Sequence, residues 1–131
     1  MKKYFVILVI LLTVLACKKV KFSPEGPTDV RVRNLSDLTF YAVIVNTSGG
    51  IDTLGDIGPG NVSDYYRFEK AFPKAEITAT INSEKFYTGP VNYTYMQYLG
   101  QDKITYEVYI SSMANKTLTI FNVIPEGPIN P

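Results

Sequence analysis

The chain contains no histidine and no tryptophan, and Cys17 is the single cysteine among its 131 residues. Histidine is the side chain that most often serves as a general acid or base near neutral pH, so its absence excludes Ser-His-Asp and Cys-His catalytic arrangements. One cysteine excludes an intrachain disulfide, and the usual zinc ligand sets of histidine and cysteine cannot be assembled. The sequence therefore predicts a non-enzymatic protein that holds no metal and no cofactor.

The N-terminus is basic and then apolar, with Lys2 and Lys3 followed by an almost unbroken apolar run over 4–15. This pattern predicts a cleaved signal peptide over 1–16 rather than a membrane span. The tetrad Val14-Leu15-Ala16-Cys17 resembles a bacterial lipobox. The resemblance implies that the thiol of Cys17 receives a diacylglyceryl group, that cleavage occurs before it, and that acyl chains of the palmitate type anchor the chain in a bilayer.

Cleavage at this position would leave 115 residues with eleven Lys and Arg against twelve Asp and Glu, or a side-chain charge of −1. That length suits one small domain, and a near-neutral charge gives no reason to expect nucleic acid as a partner. Proline and glycine near both ends predict a tether over 17–28 and a flexible tail over 125–131. Lysines at 18, 19 and 21 lie either against anionic headgroups or in solvent.

The region between these tails, residues 29–124, lacks a helical apolar stripe and shows period-two alternation instead. The clearest alternating segments are 30–33, 76–81, 104–110 and 117–123, with a hairpin loop expected over 82–85. Seven to nine short strands of this kind predict an all-β domain, with an antiparallel immunoglobulin-like β-sandwich as the first choice and a small closed barrel as the second.

Two strands carry more specific expectations. Residues 38–46 are apolar on both faces, which predicts a central strand that is covered on both sides. In the last strand, Leu118 and Ile120 are expected on one face, and Phe121 and Val123 on the other.

A wider resemblance rests on the lipobox and its lysine-rich sequel together with three later stretches. These stretches are Asn34-Leu35-Ser36-Asp37-Leu38-Thr39-Phe40, Leu54-Gly55-Asp56-Ile57-Gly58-Pro59-Gly60, and the paired tyrosines at 65–66 with Phe68-Glu69-Lys70-Ala71-Phe72. With them the chain resembles the small, mostly uncharacterised lipoproteins of Bacteroidetes-type bacteria over most of residues 1–122. The resemblance implies a β-sandwich lipoprotein of the cell envelope, anchored in the outer membrane. Surface display in that group is associated with acidic residues after the cysteine. Lys18 and Lys19 stand there instead, which favours the periplasmic face.

Two groups of residues are candidates for contact or modification. Tyr93, Tyr95 and Tyr98 form an aromatic cluster in which Tyr93 and Tyr95 would share one face of any strand. Such side chains stack on sugars or anchor a protein partner, or they pack as half-buried strand residues. The tripeptide Asp52-Thr53-Leu54 resembles the O-glycosylation site of Bacteroidetes envelope proteins, which implies a glycan on Thr53.

The acids Asp52, Asp56 and Asp64 lie close together in sequence. A pair of carboxylates could serve a glycosidase, and several could bind calcium, but solvated turn residues follow the same pattern. The function that the sequence favours is a membrane-anchored envelope lipoprotein that binds or scaffolds a protein or a glycan. The alternative is a structural or assembly subunit that pairs with its neighbours through sheet edges.

Overall fold

The computed structural model describes residues 23–130, so Cys17 and the predicted signal peptide lie outside the described part of the chain. Residues 23–130 form eight strands and no helix, which confirms the all-β prediction and the expected number of strands. The strands are β1 Thr28–Asn34, β2 Phe40–Asn46, β3 Ile51–Ile57, β4 Tyr66–Phe68, β5 Glu76–Ile81, β6 Glu84–Tyr87, β7 Asp102–Ser112 and β8 Thr117–Pro128.

All eight strands belong to one mixed sheet with the order β3-β2-β5-β6-β8-β7-β1-β4. β1 runs parallel to β7 and β6 runs parallel to β8, whereas the other neighbours are antiparallel. The expectation of a purely antiparallel arrangement is therefore wrong. The edge strand β3 packs near β1 and the opposite edge strand β4. The sheet thus curls until it nearly closes around a single core.

The core is built from the alternating residues of the strands. Val30 and Val32 of β1 are buried, as are residues 77, 79 and 81 of β5 and residues 104, 106 and 108 of β7. The residues between them are polar and belong to the outer face, as the period of two requires, although Thr105 is covered there by neighbouring side chains. Asn82 and Ser83 form a two-residue turn in which both residues have positive φ, the geometry that matches the twist of a tight hairpin.

The largest fully buried side chain belongs to Tyr106 of β7, at the centre of the core. Its hydroxyl donates a 2.5 Å hydrogen bond to the carbonyl oxygen of Phe72, so the polar end of the ring is satisfied. Burial raises the pKa of the phenol far above its usual value. The ring therefore acts as a neutral core residue.

β2 differs from its prediction. Tyr41 is 50% exposed and Ile44 is 38% exposed, so the strand is not covered on both sides. The reason is that the sheet is one curled layer whose inner face alone meets the core. Irregular pairing around Ala42, whose φ is +48°, marks a β-bulge that further breaks the alternation.

β8 also contains a bulge, which changes the side of the sheet toward which the following side chains point. Glu107 lies opposite Asn122 and Val108 lies opposite Ile120, which leaves Phe121 as an extra residue. Ile120 and Val123 both pack against the core, whereas Phe121 is 69% exposed. The expectation that Phe121 and Val123 share a face is therefore wrong.

The folded body extends beyond the boundaries expected from proline and glycine. β8 continues to Pro128, which lies opposite Asp102, so residues 125–128 belong to the sheet and not to a flexible tail. At the other end, residues 23–27 form a turn in which the carbonyl oxygen of Ser23 accepts a 2.6 Å hydrogen bond from Gln101. The described end of the expected tether is thus attached to the body.

No helix within residues 23–130 has the length and apolar character that a membrane crossing requires.

Candidate functional site

The most distinctive feature of the sheet is the junction between β6 and β8. These parallel strands share one residue pair, Tyr87 with Thr117, and the N–H of Tyr87 donates to the carbonyl oxygen of Lys116 at 3.1 Å. The next residue, Thr88, remains hydrogen-bonded to β5, since its N–H donates to the carbonyl oxygen of Ile77 at 3.0 Å. No second residue pair between β6 and β8 follows, so the two strands separate after Tyr87 and Thr117.

Gly89 and Pro90 explain the separation. Gly89 has a φ of +92°, a conformation that glycine adopts at little cost. Pro90 has no N–H, so it cannot donate a hydrogen bond to a neighbouring strand. The chain turns away from β8 at this point, while β8 continues along β7.

The gap between the separated segments is a groove of about 660 Å³. That volume lies within the range of pockets that bind small molecules. One wall is β8 over residues 118–123, the other includes Val91 and Met96, and residues 73–75 border it as well. Lys74 is the single charged residue among those that line the groove, and the rest of the lining is a mixture of apolar and uncharged polar surface in similar amounts.

The predicted tyrosine cluster lies beside this groove, in residues 88–101, which form no strand. Tyr93 is half-buried: its ring centroid lies 5.0 Å from that of Phe72, and its hydroxyl donates to the carbonyl oxygen of Asn46 at 3.2 Å. Burial raises the pKa of Tyr93, and the carboxylate of Glu76 raises it further. Tyr93 is thus anchored to the body of the domain.

The other two tyrosines are placed differently. Tyr98 contacts the same Phe72 ring at 5.4 Å and is 46% exposed, with the ammonium of Lys70 lying 5.8 Å from its ring centroid. Tyr95 is fully exposed at a φ of +68°. The structure therefore brings Tyr93 and Tyr98 together on Phe72. The expectation that Tyr93 and Tyr95 share a strand face is wrong, because this segment is irregular.

Thr53 lies on the edge strand β3 and is exposed, so its hydroxyl is open to solvent. Its N–H donates to a carboxylate oxygen of Asp52 at 2.9 Å. The carboxylate of Asp56 accepts the N–H of Ala42 at 2.9 Å, which supports the bulge in β2. Across residues 23–130, no group of three or more acidic, cysteine or histidine side chains could hold a metal ion.

The outer face of β1, β7 and β8 carries paired charges. Arg31 donates to the hydroxyl of Thr105 at 2.9 Å, and that hydroxyl donates to the carboxylate of Glu126 at 2.8 Å. The hydrogen bond from Thr105 lowers the pKa of Glu126, and Arg31 lowers it further. Arg67 and Asp29 form a second pair at 2.8 Å. These contacts connect neighbouring strands and give this face a structural role.

Sequence reasoning did not identify the groove, because no motif marks it. Its only signal was the run Thr-Leu-Thr-Ile-Phe-Asn-Val-Ile over 117–124, which contains no charge, no proline and no glycine. The pairing of β8 on one side alone is a tertiary feature that this run does not encode.

No family model and no curated protein matches the chain significantly. Among solved structures, the chain is similar to one described as an NMR structure of the protein from Eubacterium rectale. The TM-score is 0.50 at 16% sequence identity, and the match covers 79% of this chain and 96% of that chain. At this identity the likeness concerns the fold alone.

Proposed function

We propose that this chain is a lipid-anchored lipoprotein of the bacterial cell envelope that binds a protein or a glycan and catalyses no reaction. The observation that carries the binding role is the groove where β6 and β8 separate, because it is concave, is lined by both apolar and uncharged polar groups, and is built on a sheet. Sites with these properties are the usual places for ligand recognition.

The anchor in this proposal is the acylated thiol of Cys17, supported by the lipobox-like tetrad. Ser23 lies six positions after Cys17, and its carbonyl oxygen accepts a hydrogen bond from Gln101. A chain of that length spans at most about 20 Å. The folded body would therefore lie close to the bilayer surface. In this proposal the acyl chains insert into the outer membrane, and the lysines after Cys17 favour its periplasmic face.

For the fold, we infer an immunoglobulin-like sandwich. The strand order divides at the β6–β8 junction into two four-stranded halves, β3-β2-β5-β6 and β8-β7-β1-β4. Both halves contribute to one buried cluster. Two halves that face each other across a shared core are the arrangement of a sandwich.

The anchor is tested by the intact mass and the N-terminus of the exported protein. We expect a mature chain that begins at Cys17 and carries acyl chains, and a Cys17→Ser variant that leaves the membrane fraction. Another N-terminus or a free thiol would contradict the proposal. The same mass measurement tests the proposed glycan: hexose increments that Thr53→Ala removes and that Thr80→Ala keeps would place it on Thr53.

The binding role is tested by affinity capture from native envelopes with the lipid anchor intact. We expect a protein or glycan that is recovered in proportion to the bait. The alternative, a subunit that assembles through sheet edges, is supported by the unpaired side of β8. It predicts oligomers whose size rises with concentration in sedimentation and no recovered ligand.

A further inference from the structure

We propose that the groove binds an extended peptide, which pairs as an added strand with the free edge of β8 between Leu118 and Val123 and places an acidic residue beside Lys74. This inference rests on the proposed function and names the class of ligand that the module takes.

The backbone of β8 directs hydrogen-bonding groups into the groove. The carbonyl oxygen of Lys116, just before β8, points toward β6, where it accepts the N–H of Tyr87. The N–H of Thr117 belongs to the same planar trans peptide, so it points the opposite way, toward β7. Alternate residues along a strand direct their backbone groups to the same edge. The N–H and carbonyl of Ile120 therefore face the groove, beyond the point where β6 departs. An extended peptide supplies the complementary row of backbone donors and acceptors.

The composition of this edge also favours an added strand. Folded proteins protect free strand edges with lysine, with proline or by covering them. Residues 117–124 of β8 have no charged residue and no proline, and they are rich in β-branched and aromatic types. This composition favours strand pairing. Pro90 lies on the opposite wall of the groove. Because proline has no N–H, it cannot donate a hydrogen bond to the free edge of β8.

The lining of the groove offers apolar side chains and one positive charge to a peptide. Ile120 and Val123 are partly buried, and Phe121 projects at the bulge with 69% of its surface exposed. Val91 and Met96 line the groove as well. Because successive side chains of an extended peptide point in opposite directions, apolar residues at every second position would contact these walls. Lys74 is the one charge available to the peptide, and it favours a carboxylate.

A second copy of this chain fits the edge less well than a peptide. The free part of β8 is bordered by residues 73–75 and by residues 88–92, so it lies within a groove and not along an open rim. A single extended chain can enter such a groove, whereas a neighbouring folded sheet would meet its borders.

The test uses the full chain in detergent micelles and fluorescein-labelled synthetic peptides. The probes are eight-residue, end-blocked peptides of alternating Val and Thr that carry Asp at the first or the last position, because either strand direction is possible. We expect one of them to raise fluorescence anisotropy saturably and to slow hydrogen exchange at the amide of Ile120. N-methylation of alternate peptide nitrogens on the edge that pairs should abolish binding, because the added strand loses those hydrogen bonds.

Two pairs of variants locate the site. Phe121→Lys, which puts a charge on the edge, should weaken binding about tenfold. The matched control Met113→Lys changes an exposed apolar residue of the β7–β8 turn and should leave affinity unchanged. Lys74→Glu should weaken binding of the Asp peptide about threefold and leave an Asn peptide unaffected, as expected of an exposed ion pair. Its control is Lys85→Glu, on the exposed side of β6.

Three results would overturn the inference. The first is that no peptide binds, and the second is that N-methylated peptides bind as well as their parents. The third is a concentration-dependent dimer that Phe121→Lys dissolves, which would assign the edge to a second copy. If peptides fail but envelope capture recovers a ligand that both groove variants retain, the groove inference fails and the binding module stands. If capture recovers no ligand, the proposed function fails as well.

Discussion

The two sides of β8 differ in how much of the strand is paired. Toward β7, pairing runs from Thr117 opposite Ser112 to Pro128 opposite Asp102. Toward β6, it consists of Tyr87 with Thr117. One strand thus has a closed side, its pairing with β7, and an open side, which faces the groove.

This difference shows which side of β8 stabilises the fold and which side is available to a binding partner. The closed side joins β8 to β7 and, through β7, to β1, and the side chains of these strands supply a large share of the core. Because β8 is held along that whole side, its other side can remain unpaired. Stability and recognition are therefore separated across a single strand.

The strongest test of this comparison removes the largest buried side chain of the closed side. Tyr106→Ala should lower the free energy of unfolding by about 3–5 kcal/mol, because it leaves a cavity and an unpaired carbonyl at Phe72. Phe121→Ala on the open side should cost less than about 1 kcal/mol, since its ring is mostly exposed. Urea unfolding of the full chain measures both.

Tyr106→Phe is the control that separates packing from the hydrogen bond, and it should cost about 1 kcal/mol. Equal losses for Tyr106→Ala and Phe121→Ala would break the comparison, because the open side would then be as structural as the closed one.

Much of the closed side was predictable from the sequence. Ile104, Tyr106 and Val108 alternate with polar residues, and one dry face imposes that period on any strand. The open side was not predictable. Strand neighbours such as β6 and β8, or the parallel β1 and β7, are far apart along the chain, and no local pattern encodes their partnership.

The predictions that were wrong fail where the chain departs from the regular, fully paired strand geometry that a sequence pattern assumes. The bulge at Phe121 shifts the alternation by one residue, which a strict period of two cannot anticipate. Proline and glycine over 125–128 predict a tail, yet a strand end with one unpaired side tolerates proline, which lacks an N–H. A common face for Tyr93 and Tyr95 requires strand geometry, which the irregular segment 88–101 does not have.

The second prediction compares two asparagines. Asn34, buried at the end of β1, donates to the carbonyl oxygens of Leu38 and Ile57 at 2.7 and 3.0 Å and accepts the N–H of Ser36 at 2.8 Å. Asn34→Ala should cost about 2–3 kcal/mol, because these groups lose their partner in a buried site. Asn122 is exposed and borders the groove, so Asn122→Ala should change the unfolding free energy by less than about 0.5 kcal/mol.

A smaller effect is expected at Gly26, which precedes β1. This strand belongs to the half of the sheet formed by β8, β7, β1 and β4, which we call the closed half. A methyl group added there would overlap the carbonyl oxygen of Glu69. Gly26→Ala should cost about 1–3 kcal/mol, as expected when a packed backbone must shift. Ser23→Ala, at an exposed position of the same turn, is the control and should be neutral in the same unfolding assay. An unchanged stability for Gly26→Ala would show that residues 23–27 are not part of the packed body.

The smallest effect concerns pH and again compares the two sides. On the closed half, Thr105 and then Arg31 hold the pKa of Glu126 below its usual value. A carboxyl group whose pKa is lower in the folded state stabilises the fold above its unfolded pKa of about 4.3, and this contribution disappears as the pH falls through the folded pKa. The difference in urea midpoint between the parent chain and Glu126→Gln should therefore be constant near neutral pH and shrink below about pH 4.

The open half of the sheet consists of β3, β2, β5 and β6. Its Glu84 pairs with Lys116 at 3.3 Å across the β6–β8 junction, with both side chains about half exposed. Glu84→Gln is the matched control, and we expect it to shift the urea midpoint less than Glu126→Gln at neutral pH, because exposed ion pairs contribute little. A larger shift for Glu84→Gln would mean that the ion pair holds β6 against β8. The groove would then depend on that contact and not on the pairing of β8 with β7.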